Sequence, residues 1–211
     1  MLVGGLRSLL EDAQGVEVCG SAISVDLIPE RLKSAPPDIF IVDIYFKFSE
    51  GFEILKGVQL KFPQSSILVF SMHDEAFYAE RALHSGAKGY IMMNESSGEI
   101  LRAIRQVADG GLYVSDRLKS ILLSQLDTSS KQEIVNPIKK LTNRELQVIE
   151  LIGQGKNNRE ISTQMNIRLK TVEAHRFRIK EKLNLKHSTE LIQFAIHWLQ
   201  REGRFDNALS S

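Results

Sequence analysis

The apolar residues of this 211-residue chain change their period once, and that change restricts it to two differently built parts. Before about residue 114, short apolar runs of strand length alternate with longer stretches whose apolar residues stand three and four apart. After Leu141 only the helical spacing remains. The runs at 16–19, 39–42, 67–70 and 89–92 are apolar on both faces, as strands inside a parallel sheet are. The helical stretches between them fall near 4–12, 26–34, 51–61, 75–85 and 97–109. The last opens on a capping box, Ser96 with Glu99, sets Ile100, Ile104 and Val107 on one face, and stops at Gly110 and Gly111. Such alternation predicts an α/β unit, a parallel sheet wrapped by helices.

From Ser115 to Lys140 the pattern loosens. A short amphipathic piece at 118–126 precedes a polar, Ser- and Thr-containing stretch at 127–132 and then Pro137, so residues 115–138 read as a linker. Beyond it the punctuation is dense. Thr142 and Glu145 form a capping box and Leu141 and Leu146 a hydrophobic staple, which starts a helix that Gly155 ends. Asn157 and Glu160 make a second box, opening a short helix through Met165. Asn166 and Ile167 supply a tight turn before a helix at about 169–183. A fourth helix at 188–200 carries Leu191, Ile192, Ala195 and either Trp198 or Leu199 on one stripe. Two short helices about a tight turn predict a helix-turn-helix within an all-α unit.

Charge divides the same way. Residues 1–115 hold 10 Lys and Arg against 15 Asp and Glu, whereas residues 139–211 hold 14 against 8. A basic module beside an acidic one suits a polyanion at the C-terminal part. The single cysteine, Cys19, has no partner in the chain, and no secretion signal opens it, which fits a reduced, cytoplasmic setting. No apolar run approaches the roughly 18 residues of a membrane span, so no membrane partner is expected.

On the helix at 169–183, Val172, Ile179 and Leu183 share a face that packs inward. Glu173, Arg176, Phe177 and Lys180 project from other faces, with Lys170 and Thr171 in the first turn. The run Leu141-Thr142-Asn143-Arg144-Glu145, Gly155, Asn158-x-Glu160-Ile161, Lys170-Thr171-Val172-Glu173-Ala174-His175 and Lys182-Leu183 resembles the DNA-binding domain of LuxR/FixJ (NarL-type) regulators, over about residues 139–200. The resemblance implies a four-helix domain whose third helix enters the major groove of double-stranded DNA and whose fourth can pair with a second subunit, giving a homodimer on DNA. Lys170, Thr171, Glu173, Ala174 and Phe177 are then placed near bases, and Arg176, Lys180 and Asn158 near phosphates. Arg168 departs from the pattern, standing where relatives place a Ser or Thr cap. Phe177 is read either as reaching a thymine methyl or as packing on a neighbouring helix. His175 is expected to be semi-buried and structural, and His175, His187 and His197 lack the spacing of metal ligands.

Three polar residues stand at carboxyl ends of the expected strands, where ligands of parallel sheets bind: Asp43, Ser71 and Tyr90. With Ser71-Met72-His73-Asp74 and Gly86-Ala87-Lys88-Gly89-Tyr90 they resemble the receiver domain of two-component response regulators. That implies Asp43 as phosphoacceptor, Ser71 and Tyr90 as switch residues, a sensor histidine kinase as partner, and Mg²⁺ as cofactor only if the receiver is phosphorylated. The chain departs from the pattern at Met93, where a lysine is expected, and at Lys47, where a proline is usual. It also begins within what should be the first helix, without the acidic pair and first strand of a flavodoxin-like sheet. The expectation is therefore a degenerate, N-terminally truncated receiver in which the strand near residue 17 either lacks its neighbour or pairs directly with that near residue 40.

The expected organisation is a receiver-like domain at 1–114, a linker at 115–138 and a helix-turn-helix domain at 139–211. The expected function is a sequence-specific transcription regulator, not an enzyme, with weak or no phosphotransfer. Its alternatives are a regulator switched by phosphorylation of Asp43 and a protein adaptor that binds no DNA. The stripe of the last helix and the surface at 77–83 are the candidate dimer contacts.

Overall fold

A computed structural model describes residues 2–44, 48–126 and 137–201; the polar linker stretch at 127–132 and the departure at Lys47 lie outside the described residues. The chain divides into two compact units that part near residue 128. The first is built on three parallel strands, β1 (Ile39–Val42), β2 (Ser66–Ser71) and β3 (Gly89–Met92), in the order β1-β2-β3. The register sets Val42 beside Val69 and Phe70 beside Ile91. Five longer helices accompany them: α1 (Leu2–Glu11), α3 (Phe48–Lys61), α4 (Glu75–His84), α5 (Ser97–Ala108) and α6 (Asp116–Leu126). Strand alternation sends Leu68, Phe70 and Ile91 to one face of the sheet, where they pack with Leu10 of α1 and with Ile100, Ile104 and Val107 of α5. Phe40 points to the other face and meets Phe62 at 4.9 Å between ring centroids.

The outer edge of β3 is closed by a single bridge. Tyr113 donates its N–H to the Lys88 carbonyl at 2.9 Å and accepts from Tyr90 N–H at 3.4 Å. Only glycine allows this approach, because a Cβ on Gly89 would meet Val107 Cγ2 at 2.9 Å and Tyr113 Cβ at 3.1 Å.

Four expectations are corrected. Residues 16–19 form no strand: β1 pairs with β2 alone among the described strands, and Val16 and Val18 pack on the core from irregular backbone whose Cys19 carbonyl accepts from Arg31. The expected helix at 26–34 breaks into a 3₁₀ turn (Val25–Leu27) and a single turn, α2 (Arg31–Ser34). Pro29 is the cause, since it holds Ile28 extended at φ −64° and ψ 128°. The capping box at the start of α5 is half made: Ser96 accepts from Glu99 N–H at 3.2 Å, but the Glu99 carboxylate turns instead to Arg102 and to the Tyr113 hydroxyl. The first part of the expected linker is α6, which belongs to the first unit. Its Ser115 cap donates to Glu75 at 2.7 Å, its Arg117 reaches Asp74 at 3.1 Å, and Leu118 is buried beneath it.

The second unit consists of α7 (Asn143–Gly153), α8 (Asn158–Met165), α9 (Leu169–Leu183) and α10 (Ser188–Arg201). Both capping boxes are complete, Thr142 with Glu145 and Asn157 with Glu160. Leu141 and Leu146 are buried as the staple requires. The stripe on α10 is core rather than surface: Leu191, Ala195, Trp198 and Leu199 are buried against the unit, and of the stripe only Ile192 is exposed. Of the surface at 77–83, Tyr78, Ala79 and Ala82 are buried and Phe77, Glu80, Arg81 and Leu83 are half-buried.

Two measurements check this packing. Helix α10 crosses α7 so closely that a Cβ on Gly153 would stand 2.6 Å from the Ala195 carbonyl oxygen and 2.5 Å from Leu199 Cδ1. Helix propensity alone predicts a gain of up to about 1 kcal/mol for Gly153→Ala. The overlap reverses the sign, and we expect a loss of about 1–3 kcal/mol. Denaturant titration followed by Trp198, the one tryptophan of the chain, reads it. Burial also pushes the Glu150 carboxyl on α7 up to about 7. A raised folded-state value adds stability below the unfolded value and loses it as pH rises through about 7. Glu150→Gln should therefore raise the melting temperature relative to the parent at pH 8 and lose that advantage at pH 5.

Candidate nucleic-acid interface

The turn between α8 and α9 is fixed from both sides. Asn166 adopts the left-handed region at φ 51°, which asparagine tolerates better than most residues. The Ile167 N–H donates to the Ser162 carbonyl at 3.1 Å and the Ser162 hydroxyl donates to the Ile167 carbonyl at 2.6 Å. Helix α9 is then seated by Val172 and Ile179, both fully buried, with Leu183 half-buried behind them.

A buried carboxylate locks the other end of α9. Glu145, 3% exposed in its side chain, accepts the Thr142 N–H at 2.7 Å and the Lys182 ammonium at 2.7 Å through the same oxygen. Burial pushes this carboxyl up, yet the bonds from Lys182 and Thr142 outweigh it and hold the group below its ordinary value. Glu145 is therefore ionised near neutral pH, and the capping residue of α7 is also the anchor of α9.

What α9 leaves outside is basic. Lys170, Thr171, Glu173, Ala174 and Phe177 are exposed, and Arg176 and Lys180 are half-buried along the same side. Asn158 on α8 is half-buried and lines, with Lys156, Arg159, Leu169 and Arg176, a groove of about 610 Å³. The eight residues expected at DNA thus separate cleanly from the buried face. Burial lowers the Arg176 guanidinium from its usual value, and no carboxylate among the described residues pairs with it. Arg168 heads α9 without a side-chain cap bond, which leaves the first amides of the helix open. Sequence reasoning passed over Lys156 and Arg159; their place flanking the Asn157 cap was the signal for both. Phe177 does not pack on a neighbouring helix, being 58% exposed. His175 is half-buried; burial pushes it down, Glu145 opposes, and Arg178 and Arg144 reinforce, so it is neutral at pH 7.

In the first unit Asp43 is exposed just past β1, whereas Ser71 and Tyr90 are fully buried. The latter two converge on one peptide: the Ser71 hydroxyl oxygen accepts the His73 N–H at 3.1 Å, and the Tyr90 hydroxyl donates to the His73 carbonyl at 2.8 Å. Met93 is half-buried and packs on the apolar cluster under α1 and α5. Met93, just past β3, therefore turns to the core rather than standing as a cation at the sheet end. Among the described residues no group of three His, Cys, Asp or Glu side chains could hold a metal. No helix among them is long and apolar enough to cross a membrane.

Residues 1–105 match the response regulator receiver domain, and residues 139–195 match the bacterial regulatory proteins of the luxR family. The oxygen regulatory protein NreC of Staphylococcus aureus is 33% identical over 91% of this chain and 90% of its own length. Two structures of the Salmonella typhimurium response regulator RcsB share the fold at 20% identity. One, bound to a promoter in the presence of a phosphomimetic, covers 92% of each chain with a TM-score of 0.63; the other covers 93% of this chain and 92% of its own with 0.64. A receiver-type sheet unit followed by a four-helix unit, matched along nearly its whole length by NreC, makes this chain a member of the luxR-family response regulators.

Proposed function

We propose that the chain is a sequence-specific transcription regulator that reads double-stranded DNA with α9. The observation that carries this reading is the outer side of α9. It presents Lys170 outward and sets Arg176 and Lys180 at the margin of the core formed by Val172 and Ile179, with Arg176 half-buried and paired with no carboxylate among the described residues. A cation kept that way is set for an anion from outside, and a helix of this width fits the major groove. Lys170, Thr171, Glu173, Ala174 and Phe177 face bases; Arg176, Lys180 and Asn158 take phosphates, joined by Lys156 and Arg159. RcsB has been solved as two dimers on DNA. Here too a homodimer on DNA is the proposed state.

We further propose that the receiver unit works without efficient phosphotransfer and without a cofactor, so the protein is not an enzyme. A carboxylate approaches a phosphoryl donor only when charge on both is neutralised. Met93 stands where the resemblance to receivers calls for a lysine, and it packs on the apolar cluster instead, which supports this reading. A sensor histidine kinase remains the proposed partner of the fold, with a cytoplasmic setting. Tyr90 and Ser71, tied to His73, favour a receiver that holds one conformation.

Selection of random duplexes by the full chain, with and without beryllofluoride and Mg²⁺, tests both readings. The expected result is one palindromic motif in both conditions. The affinity should fall steeply with salt, and Arg176→Ala and Lys180→Ala should each reduce the slope of log affinity against log salt by about one. Failure to enrich any motif would favour the adaptor alternative. Acyl phosphate with Mg²⁺ should leave Asp43 unlabelled; label that disappears in Asp43→Asn would restore the phosphorylation-switched alternative.

A further inference from the structure

The recognition helix carries a large ring in water. Phe177 is 58% exposed, although Val172 and Ile179 on the same helix are fully buried, so it lies off the packing face altogether. Long side chains on a helix lean over the preceding turn, and the residues there are Ala174 and Glu173. Both are exposed, and Ala174 is too small to cover the ring. The surroundings restrict what can cover it. Along α9 five Lys and Arg stand against two Glu, and Arg176 and Arg178 flank Phe177 in the chain. An apolar protein partner would have to desolvate those cations to reach the ring, whereas a polyanion neutralises them. The apolar group that double-stranded DNA offers a helix in its major groove is the thymine C5-methyl.

We infer that Phe177 is a specificity-determining residue that selects thymine, against cytosine or uracil, at one position of each half-site by contact with the thymine methyl. The inference rests on the DNA-binding reading above and goes one base further. Glu173, one turn earlier on the same side, is an acceptor suited to a neighbouring cytosine N4 amine, so the ring and the carboxylate together specify adjacent positions.

Deoxyuridine, which lacks only the methyl, makes the test clean. Within the motif bound by the full chain, each thymine is replaced in turn by deoxyuridine and affinity is measured for the parent, Phe177→Ala and Phe177→Leu. Covering one methyl contributes about 0.8 kcal/mol, so one thymine per half-site should lose about fourfold on replacement in the parent. Phe177→Ala should bind thymine and deoxyuridine equally at that position, and Phe177→Leu should keep part of the difference. Either of two results overturns the inference: no thymine in the motif responds to loss of its methyl, or the thymine to deoxyuridine ratio is the same in Phe177→Ala as in the parent. A chain that binds no duplex at all would instead sink the DNA-binding reading beneath it. Because Phe177 is exposed, its replacement leaves the core intact, and unchanged denaturant midpoints for both variants confirm that the comparison is of folded proteins.

Discussion

The C-terminal unit depends on one buried oxygen. A single Glu145 carboxylate oxygen accepts hydrogen bonds from the Thr142 amide that begins α7 and from the Lys182 ammonium near the end of α9. Each partner alone would leave an incompletely compensated charge in a site that is nearly closed to water, and removing one partner of such a pair typically costs several kcal/mol. The consequence is geometric. The start of α7 and the last turn of α9 cannot move independently, while the Ser162 and Ile167 bonds fix the first turn of α9. With both ends held and Val172 and Ile179 fully buried between them, the outer residues of α9 are presented on a rigid rod. Side chains held this way reach an outside partner at little further entropic cost.

A comparable economy operates in the sheet unit, around a peptide rather than a carboxylate. The His73 amide and carbonyl are taken up by the side chains of Ser71 and Tyr90. The loop they hold continues into Asp74 and Glu75, and those two bind Arg117 and Ser115 at the start of α6. The caps of α4 and α6 thus satisfy each other. The bonds of Ser71 and Tyr90 to the His73 peptide, of Ser115 to Glu75 and of Arg117 to Asp74 all lie within the unit, and such a network favours one arrangement over two.

The parts legible in the sequence were those whose signals are local. Both capping boxes of the second unit, the αL turn at Asn166 and the split between buried Val172 and exposed Lys170 follow from spacing alone, and strands 39–42 and 89–92 stand where their apolar runs do. What was not legible depends on neighbours distant in the chain. Residues 16–19 have the composition of a strand but form none, and nothing in those four residues records it. Ser96 and Glu99 have the letters of a capping box, but Tyr113 and Arg102 compete for the carboxylate. The stripe on α10 reads equally as a dimer surface and as core until Gly153 on α7 is seen to admit it. Pro29 was the exception, a local signal that the helical periodicity at 26–34 obscured.

The two units also divide the charge in a way that separates their tasks. Acidic residues predominate in the unit that carries Asp43 at the end of β1. Basic residues predominate in the unit that carries Arg176, which is half-buried and paired with no carboxylate among the described residues. In the proposed function, Arg176, Lys180 and Lys156 supply charge to DNA phosphates, while Met93 stands where a phosphoryl-transferring receiver would need a cation. In the reading proposed above, in which Asp43 takes no phosphoryl group, conformational regulation cannot draw on the free energy of an acyl phosphate. It has to come from contacts that discriminate between states of the sheet unit, and the closed network from Ser71 through His73 to α6 leaves few groups with which a partner could do so without breaking a buried bond.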